Sequence, residues 1–382
     1  MEKQLKKIKS VLKINSSISN FFFKYLKIKD LRNHPNKTVA IIDESQEFEI
    51  DFSNYSIDSF PYWRHFKTFT ENATFFSEQS NAYIVSKGIV VNAGNEVILE
   101  STIFQLEYLN ELYSNHLVVF KNFIPKVKYP KVFPLLNRLD NNYYHWTMES
   151  LSRVLLVYEK PFFKDYQVLI KKGGSKFMTE SLKFLFNIND NQIIVKGLVK
   201  KVKTENALVV SFPHIRNKET QMTNVYYPSI IRKFNLLAHK RIIENGLDTQ
   251  KSPKNILISR KNAIERRVIN EDELLKKLEQ YGFQLVYLEE LSFVEQITLF
   301  YGAEKVIAQH GAGITNIIYG KKTHLIEFFP QERNIRDAFY FAQISAALKF
   351  KHDVIEYKSV NLQQDIEIDE SLYAEIICKL NP

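Results

Sequence analysis

Lys305-Val306-Ile307-Ala308-Gln309-His310-Gly311-Ala312-Gly313-Ile314-Thr315-Asn316-Ile317-Ile318 decides how this chain is read. An apolar run enters a His-Gly-Ala-Gly turn, and apolar residues resume behind Thr315 and Asn316. That order predicts a strand, a tight turn and a helix start. The two glycines allow a sharp turn and let a ligand approach the backbone closely. A helix starting there aims unpaired N–H groups and the positive end of its dipole over the turn, a place that phosphate commonly occupies. A second strand over 325–329 ends at Pro330, as expected of a parallel neighbour. A glycine pair alone also makes ordinary strand-to-helix connections, and the G-x-G-x-x-G fingerprint is absent. The function must therefore be read from what surrounds the turn.

Upstream, residues 255–258 read as a strand that delivers Arg260 at its carboxyl end, with Arg266 and Arg267 just after. Asn270 opens a helix whose first turn holds Glu271, Asp272 and Glu273. A strand over 283–287 follows, then a helix over 292–301 with Ser292 and Glu295 spaced as a capping box. Ligands of open α/β sheets bind beyond the carboxyl ends of the strands. Arg260 and Arg266, the turn His310, Gly311, Ala312 and Gly313, and Thr315 and Asn316 all belong at that edge. Two arginines beside a helix N-terminus suit a diphosphate. Glu327, within the next strand, can take ribose hydroxyls or pair with an arginine.

The preceding part alternates strands and helices between 166 and 212, in the βαβ rhythm of an open parallel sheet. A helix over 229–245 and a turn-rich stretch to Pro253 lead into the second domain. Before it, Asn141-Asn142-Tyr143-Tyr144-His145-Trp146-Thr147-Met148-Glu149 runs into Leu151, Val154 and Leu155 at helical spacing. His145 and Glu149 are four apart and share a face, which Arg153 continues. A carboxylate beside a histidine fixes its tautomer or itself accepts a proton, so the pair is a candidate acid/base. An ordinary ion pair flanking buried Trp146 has the same spacing. Two ligands are too few for a metal site, and no Asp-x-Asp occurs in the chain.

Residues 36–130 read as short strands, with a turn at Asn92-Ala93-Gly94-Asn95. Residues 1–35 mix lysines with Leu5, Ile8, Val11 and a Phe21-Phe22-Phe23 triplet, a basic amphipathic segment suited to an anionic membrane surface or to packing on its own domain. The 382 residues carry 52 Lys and Arg against 43 Asp and Glu, a formal charge of +9 that favours anionic partners. Zinc-finger spacing and long basic tracts are missing, which argues against nucleic acid. The single Cys378 excludes an intramolecular disulfide framework. No eighteen-residue apolar run and no signal-peptide pattern occur, so the expected location is cytoplasmic. A serine hydrolase using His310 lacks its G-x-S-x-G elbow, and an oxidoreductase lacks its dinucleotide fingerprint.

Tyr144-His145-Trp146-x-x-Glu149-x-x-x-Arg153, Ile258-Ser259-Arg260 with Arg266 and Asn270, Glu295-Gln296, His310-Gly311-Ala312-Gly313-x-Thr315-Asn316 and Ile326-Glu327 follow in that order. The set resembles glycosyltransferase family 61, in a bacterial capsular-polysaccharide type of member, over about residues 130–330. The resemblance implies an inverting, sugar-nucleotide-dependent transferase of α/β class, GT-B-like, with two Rossmann-like domains facing a cleft. The expected division of the chain is the basic segment 1–35, an acceptor-side domain 36–245, a donor-binding domain 246–335 and a segment 336–382 that can return to the first domain, with residues 1–120 outside the resemblance. The implied donor residues are Arg260, Arg266, His310, Gly311, Ala312, Gly313, Thr315, Asn316 and Glu327. Glu149 or His145 would be the base, with Asp140 as a third choice. No metal or other cofactor is expected. The implied partners are a nucleotide sugar and a glycan or lipid-linked glycan acceptor; an anionic membrane surface is suggested only by the basic segment 1–35. A non-catalytic nucleotide- or polysaccharide-binding protein would keep the same cleft without depending on Glu149.

Overall fold

A computed structural model describes residues 27–33, 38–49, 68–102, 127–137, 139–196, 202–215, 225–334, 337 and 339–381. Most of the basic segment 1–35 lies outside the described residues. The described residues build two large sheets and two small two-stranded ones. The strands of the first half are β1 (Lys27–Lys29), β2 (Val39–Asp43), β3 (Gln46–Glu49), β4 (Thr68–Glu71), β5 (Thr74–Ser80), β6 (Tyr83–Val85), β7 (Ile89–Val91), β8 (Glu96–Ile98), β9 (Val127–Pro134), β10 (Gln167–Lys171), β11 (Ile193–Lys196) and β12 (Val202–Val210), followed by β13 (His214–Ile215) and β14 (Val225–Tyr226). The two small sheets are β3 with β4 and β13 with β14. The other ten strands form one sheet along the path β1-β8-β7-β6-β12-β9-β10-β11, with β5 and β2 branching from β12.

The expected parallel arrangement is present in part of this sheet. Strands β12, β9, β10 and β11 run parallel, whereas β5 and β6 pair antiparallel with β12, as β7 does with β6. Short connections make the difference. The chain reverses between β6 and β7 through Lys87 and Gly88, and between β7 and β8 through Asn95, all at positive φ. Loops that short can join only antiparallel neighbours.

The second sheet is parallel throughout, in the order β16-β15-β17-β18-β19: β15 (Asn255–Ile258), β16 (Phe283–Val286), β17 (Lys305–Gln309), β18 (His324–Pro330) and β19 (Lys351–Tyr357). Both faces are covered, which is why β17 reads as an unbroken apolar run. Val306 and Ala308 pack with Phe293, Ile297 and Phe341 on one side. Ile307 faces Leu274, Leu278 and Ile376 on the other. The capping box of Ser292 and Glu295 opens the helix Phe293–Gly302 as expected.

The apolar cluster of Val306 also contains Phe133, Val168 and Val210 of the first sheet, joined through the helix Pro228–Glu244. The two sheets thus share a core. The last segment divides. Helix Phe339–Leu348 packs against Pro228–Glu244, and its Gln343 accepts from Tyr226 N at 2.9 Å and donates to the Tyr144 hydroxyl at 3.0 Å. Strand β19 and the helix Glu370–Leu380 instead complete the second sheet. No helix among the described residues is long and apolar enough to cross a membrane.

Candidate active site

The helix that carries His145 and Glu149 begins as α (Tyr143–His145), loosens to a π turn (Trp146–Leu151) and resumes as α (Ser152–Val157). Such π turns recur at functional sites. Asn142 caps it, its side-chain oxygen accepting from Tyr144 N at 3.0 Å. The shared face predicted from spacing is real: His145 Nδ1 lies 2.8 Å from Glu149 Oε1. The Tyr226 hydroxyl donates to the same oxygen at 3.0 Å, and Asn137 Nδ2 donates to the other at 3.2 Å. Glu149 is buried, whereas the His145 side chain keeps 22% of its surface exposed. The carboxylate is therefore a fixed anchor and the imidazole the member that can meet a second molecule. Arg153 is buried beside them with its guanidinium 4.4 Å from the Phe212 ring centre, and burial pulls its pKa down to about 9 against the opposing pull of Glu149. Asp140 is fully buried, with Lys171 Nζ 3.7 Å away, and burial pushes its carboxyl up.

In the second sheet, Arg260 leaves the carboxyl end of β15 and its guanidinium donates to Glu265 O at 3.2 and 3.3 Å. It packs on Gly311. A Cβ at that position would overlap Arg260 Nη1. The Gly311 φ of 175° is extended and open to any residue, so a side chain here would disturb the Arg260 guanidinium rather than the backbone. Gly311→Ala is accordingly expected to fold normally but to displace the Arg260 guanidinium, and a calorimetric titration with pyrophosphate would read the loss if this edge holds a diphosphate. Burial, followed by the Arg266 charge, lowers the Arg260 pKa to about 10. Arg266 sits at φ 59° and pairs with Glu265.

Behind the turn, Ala312–Tyr319 forms a 3-10 segment rather than an α-helix. Every residue from Ile314 to Tyr319 is buried, and a three-residue repeat stacks Ile314 on Ile317 within that crowded space. Ala312 and Gly313 are half-buried and form the open part of the turn. Thr315 and Asn316 are fully enclosed. Asn316 accepts from the Tyr143 hydroxyl at 2.6 Å and donates to Gln296 at 3.0 Å and Gly313 O at 3.1 Å. It ties the turn to the His145 helix and offers its side chain to no ligand.

Glu327 is also enclosed. Its Oε1 lies 2.5 Å from His310 Nδ1 and its Oε2 2.9 Å from His352 Nε2, so both oxygens face imidazoles rather than an open cleft. Burial alone would raise its carboxyl, but the hydrogen bonds and charges of the two histidines hold it below the ordinary value. The His310 ring lies 5.2 Å from Phe341, which lies 5.8 Å from Tyr144, the neighbour of His145. Two ring contacts thus connect the His145 pair with the glycine turn. No three or more His, Cys, Asp or Glu side chains among the described residues are placed to hold one metal ion.

The Glycosyltransferase 61 family model matches residues 143–326, from the first residue of the His145 helix to the residue before Glu327. That span, just under half of the chain, is similar to glycosyltransferase family 61. The matched span contains His145, Glu149, Arg260, Arg266 and the whole glycine turn, and stops short of Glu327 and His352. A stretch of 57 residues is 40% identical to the EGF domain-specific O-linked N-acetylglucosamine transferase of Drosophila melanogaster. That match spans 14% of this chain and 11% of the relative. The sequence reading missed Tyr226, Asn137 and His352, which reach Glu149 and Glu327 from distant positions and carry no local signal.

Proposed function

We propose that the protein moves a sugar from a nucleotide-sugar donor to a glycan acceptor in a single in-line displacement that inverts the anomeric carbon. The reading is carried by the His310–Phe341–Tyr144 contact chain, which joins an acid/base pair from one sheet to an arginine-lined glycine turn on the other. Glu149 holds His145 Nδ1, so His145 Nε2 takes the proton of the acceptor hydroxyl. The acceptor oxygen then bonds to the anomeric carbon as the bond to the diphosphate breaks. Arg260, Arg266 and the first amides of the turn stabilise the negative charge that grows on the leaving diphosphate. Those guanidiniums supply the cationic charge that a divalent metal supplies in other transferases. His310 turns its other ring nitrogen to the donor, and Glu327 acts on the donor through His310 rather than by touching ribose. Enclosed Asp140 is the weakest choice of base.

Two α/β sheets that each contribute half of the site support a GT-B-like arrangement. The setting we propose is capsule or other cell-surface polysaccharide synthesis at the inner face of the membrane, on a glycan or lipid-linked glycan. The activity in the relative's name puts an N-acetylglucosamine donor first in the panel to be tested.

The test is release of nucleoside diphosphate from a panel of nucleotide sugars, with and without EDTA. One donor is expected to be consumed, EDTA to leave the rate unchanged, and Arg260→Ala to weaken donor binding by about 1.5–3 kcal/mol. Loss of turnover with EDTA would overturn the metal-free mechanism. Selective binding of a donor without turnover on any glycan would favour a non-catalytic binding protein.

A further inference from the structure

The surroundings of Arg266 lead to a residue beyond the span that resembles glycosyltransferase family 61. Arg266 and Arg333 flank the carboxyl end of β19. On one side Arg266 N donates to Gln363 O at 2.8 Å, and the Tyr357 hydroxyl donates to Gln364 O at 2.7 Å. On the other, Pro330 is the register partner of Tyr357, and Gln331 N donates to Tyr357 O at 2.9 Å. Arg333 N then closes a turn on Pro330 O at 3.0 Å. Arg260 stands next to Arg266, so three guanidiniums line one edge of the sheet; burial first, and then the neighbouring guanidinium, lowers Arg260 beside Arg266 and Arg266 beside Arg333.

Like charges this close repel unless anions lie between them. Two of the three are held by carboxylates: Arg266 Nη2 by Glu265, and Arg333 Nη2 by Asp337 at 2.9 Å. Each pairing engages one terminal nitrogen. The Nε atoms of Arg266 and Arg333 are buried and have no hydrogen-bond partner among the described residues. A buried donor without an acceptor costs free energy until one arrives. The Glu265 side chain is 45% exposed and that of Asp337 26%, so both carboxylates can turn into solvent. A diphosphate has more charge and more acceptor oxygens than either, and guanidinium forks bind it in bidentate fashion.

We propose that Arg333 is a third diphosphate-binding residue, and that Glu265 and Asp337 are internal competitors that the donor diphosphate displaces. The proposal rests on the donor-site reading above. It gives opposite signs to two neighbouring substitutions. Removing Arg333 removes a ligand, whereas neutralising Asp337 removes a rival.

The experiment is calorimetric titration of the full chain with inorganic pyrophosphate. Arg333→Gln is expected to weaken binding about tenfold or more, and Asp337→Asn to tighten it about threefold to tenfold. Arg260→Gln serves as the reference. If Arg260→Gln weakens binding and Arg333→Gln does not, the third-arginine assignment is overturned and the donor-site reading stands. If neither weakens it, both fall. Weaker binding by Asp337→Asn would make Asp337 a support of Arg333 and overturn the exchange. Should Arg333→Gln fail to fold, the sign of the Asp337→Asn effect decides, because misfolding does not tighten binding.

Discussion

Replacing His145 with glutamine is expected to lower transferase turnover by about 10²–10⁴-fold while nucleoside-diphosphate affinity stays at its wild-type level. The split follows from where the residue sits. His145 Nδ1 is taken by Glu149, and the ring keeps part of its surface exposed. Nothing in the arginine-lined edge depends on it. A group that takes a proton as the acceptor attacks contributes to the transition state and not to donor binding, so kcat falls with KM for the donor unchanged. Glu149→Gln should cost less. The amide still accepts from Nδ1, but the charge that balances a protonated imidazole is gone. Steady-state rates on the donor identified by the panel would separate the two assignments. If Glu149→Gln abolished turnover and His145→Gln barely changed it, Glu149 would be the base and the imidazole its partner.

What the sequence discloses depends on how local the responsible physics is. Strand β17 is legible because both its faces are covered, leaving an apolar run with no alternation. The His145–Glu149 contact follows from helical spacing, which survives the π turn. The site of Gly311 is also legible, though its reason is not: the backbone there is extended, and the constraint is the Arg260 guanidinium lying where a Cβ would go. Strand β19 shows the opposite case. Lys351-His352-Asp353-Val354 reads as polar, yet His352 and Asp353 are buried and partnered by Glu327 and His324, residues 25 and 29 positions away. Polar pairs inside a sheet cancel the hydrophobic pattern that would announce the strand. The environment of Glu149 is nonlocal in the same way, since Tyr226 reaches it across 77 residues. The short hairpins of the first sheet also hid its mixed character, because strand runs alone do not state direction.

Glu327→Ala is expected to destabilise the protein by about 3–5 kcal/mol, the usual consequence of removing one member of a buried charged set. Glu327 lies in the middle of β18, between Ala308 of β17 and Val354 of β19, with no exposed surface. Its loss removes the acceptor that faces both His310 Nδ1 and His352 Nε2. Glu327→Gln keeps the shape and isolates the charge, which gives the pH dependence its sign. The carboxyl is held below its ordinary value of 4.5 because hydrogen bonds and charge from both histidines outweigh burial. A folded-state pKa below the unfolded one contributes stability that is complete above the unfolded value and is lost as pH falls through the folded value. The stability gap between wild type and Glu327→Gln should therefore be constant at neutral pH and close as the pH drops below about 4.5. Denaturant melts of both proteins across the acid range would measure it. A gap that did not change with pH would mean that the folded and unfolded states hold this proton equally, and would overturn the lowered carboxyl. Because Glu327 also fixes the orientation of the His310 ring, Glu327→Gln should weaken donor binding even at neutral pH, where the protein remains folded. A purely structural carboxylate would move the melts and leave donor affinity where it was.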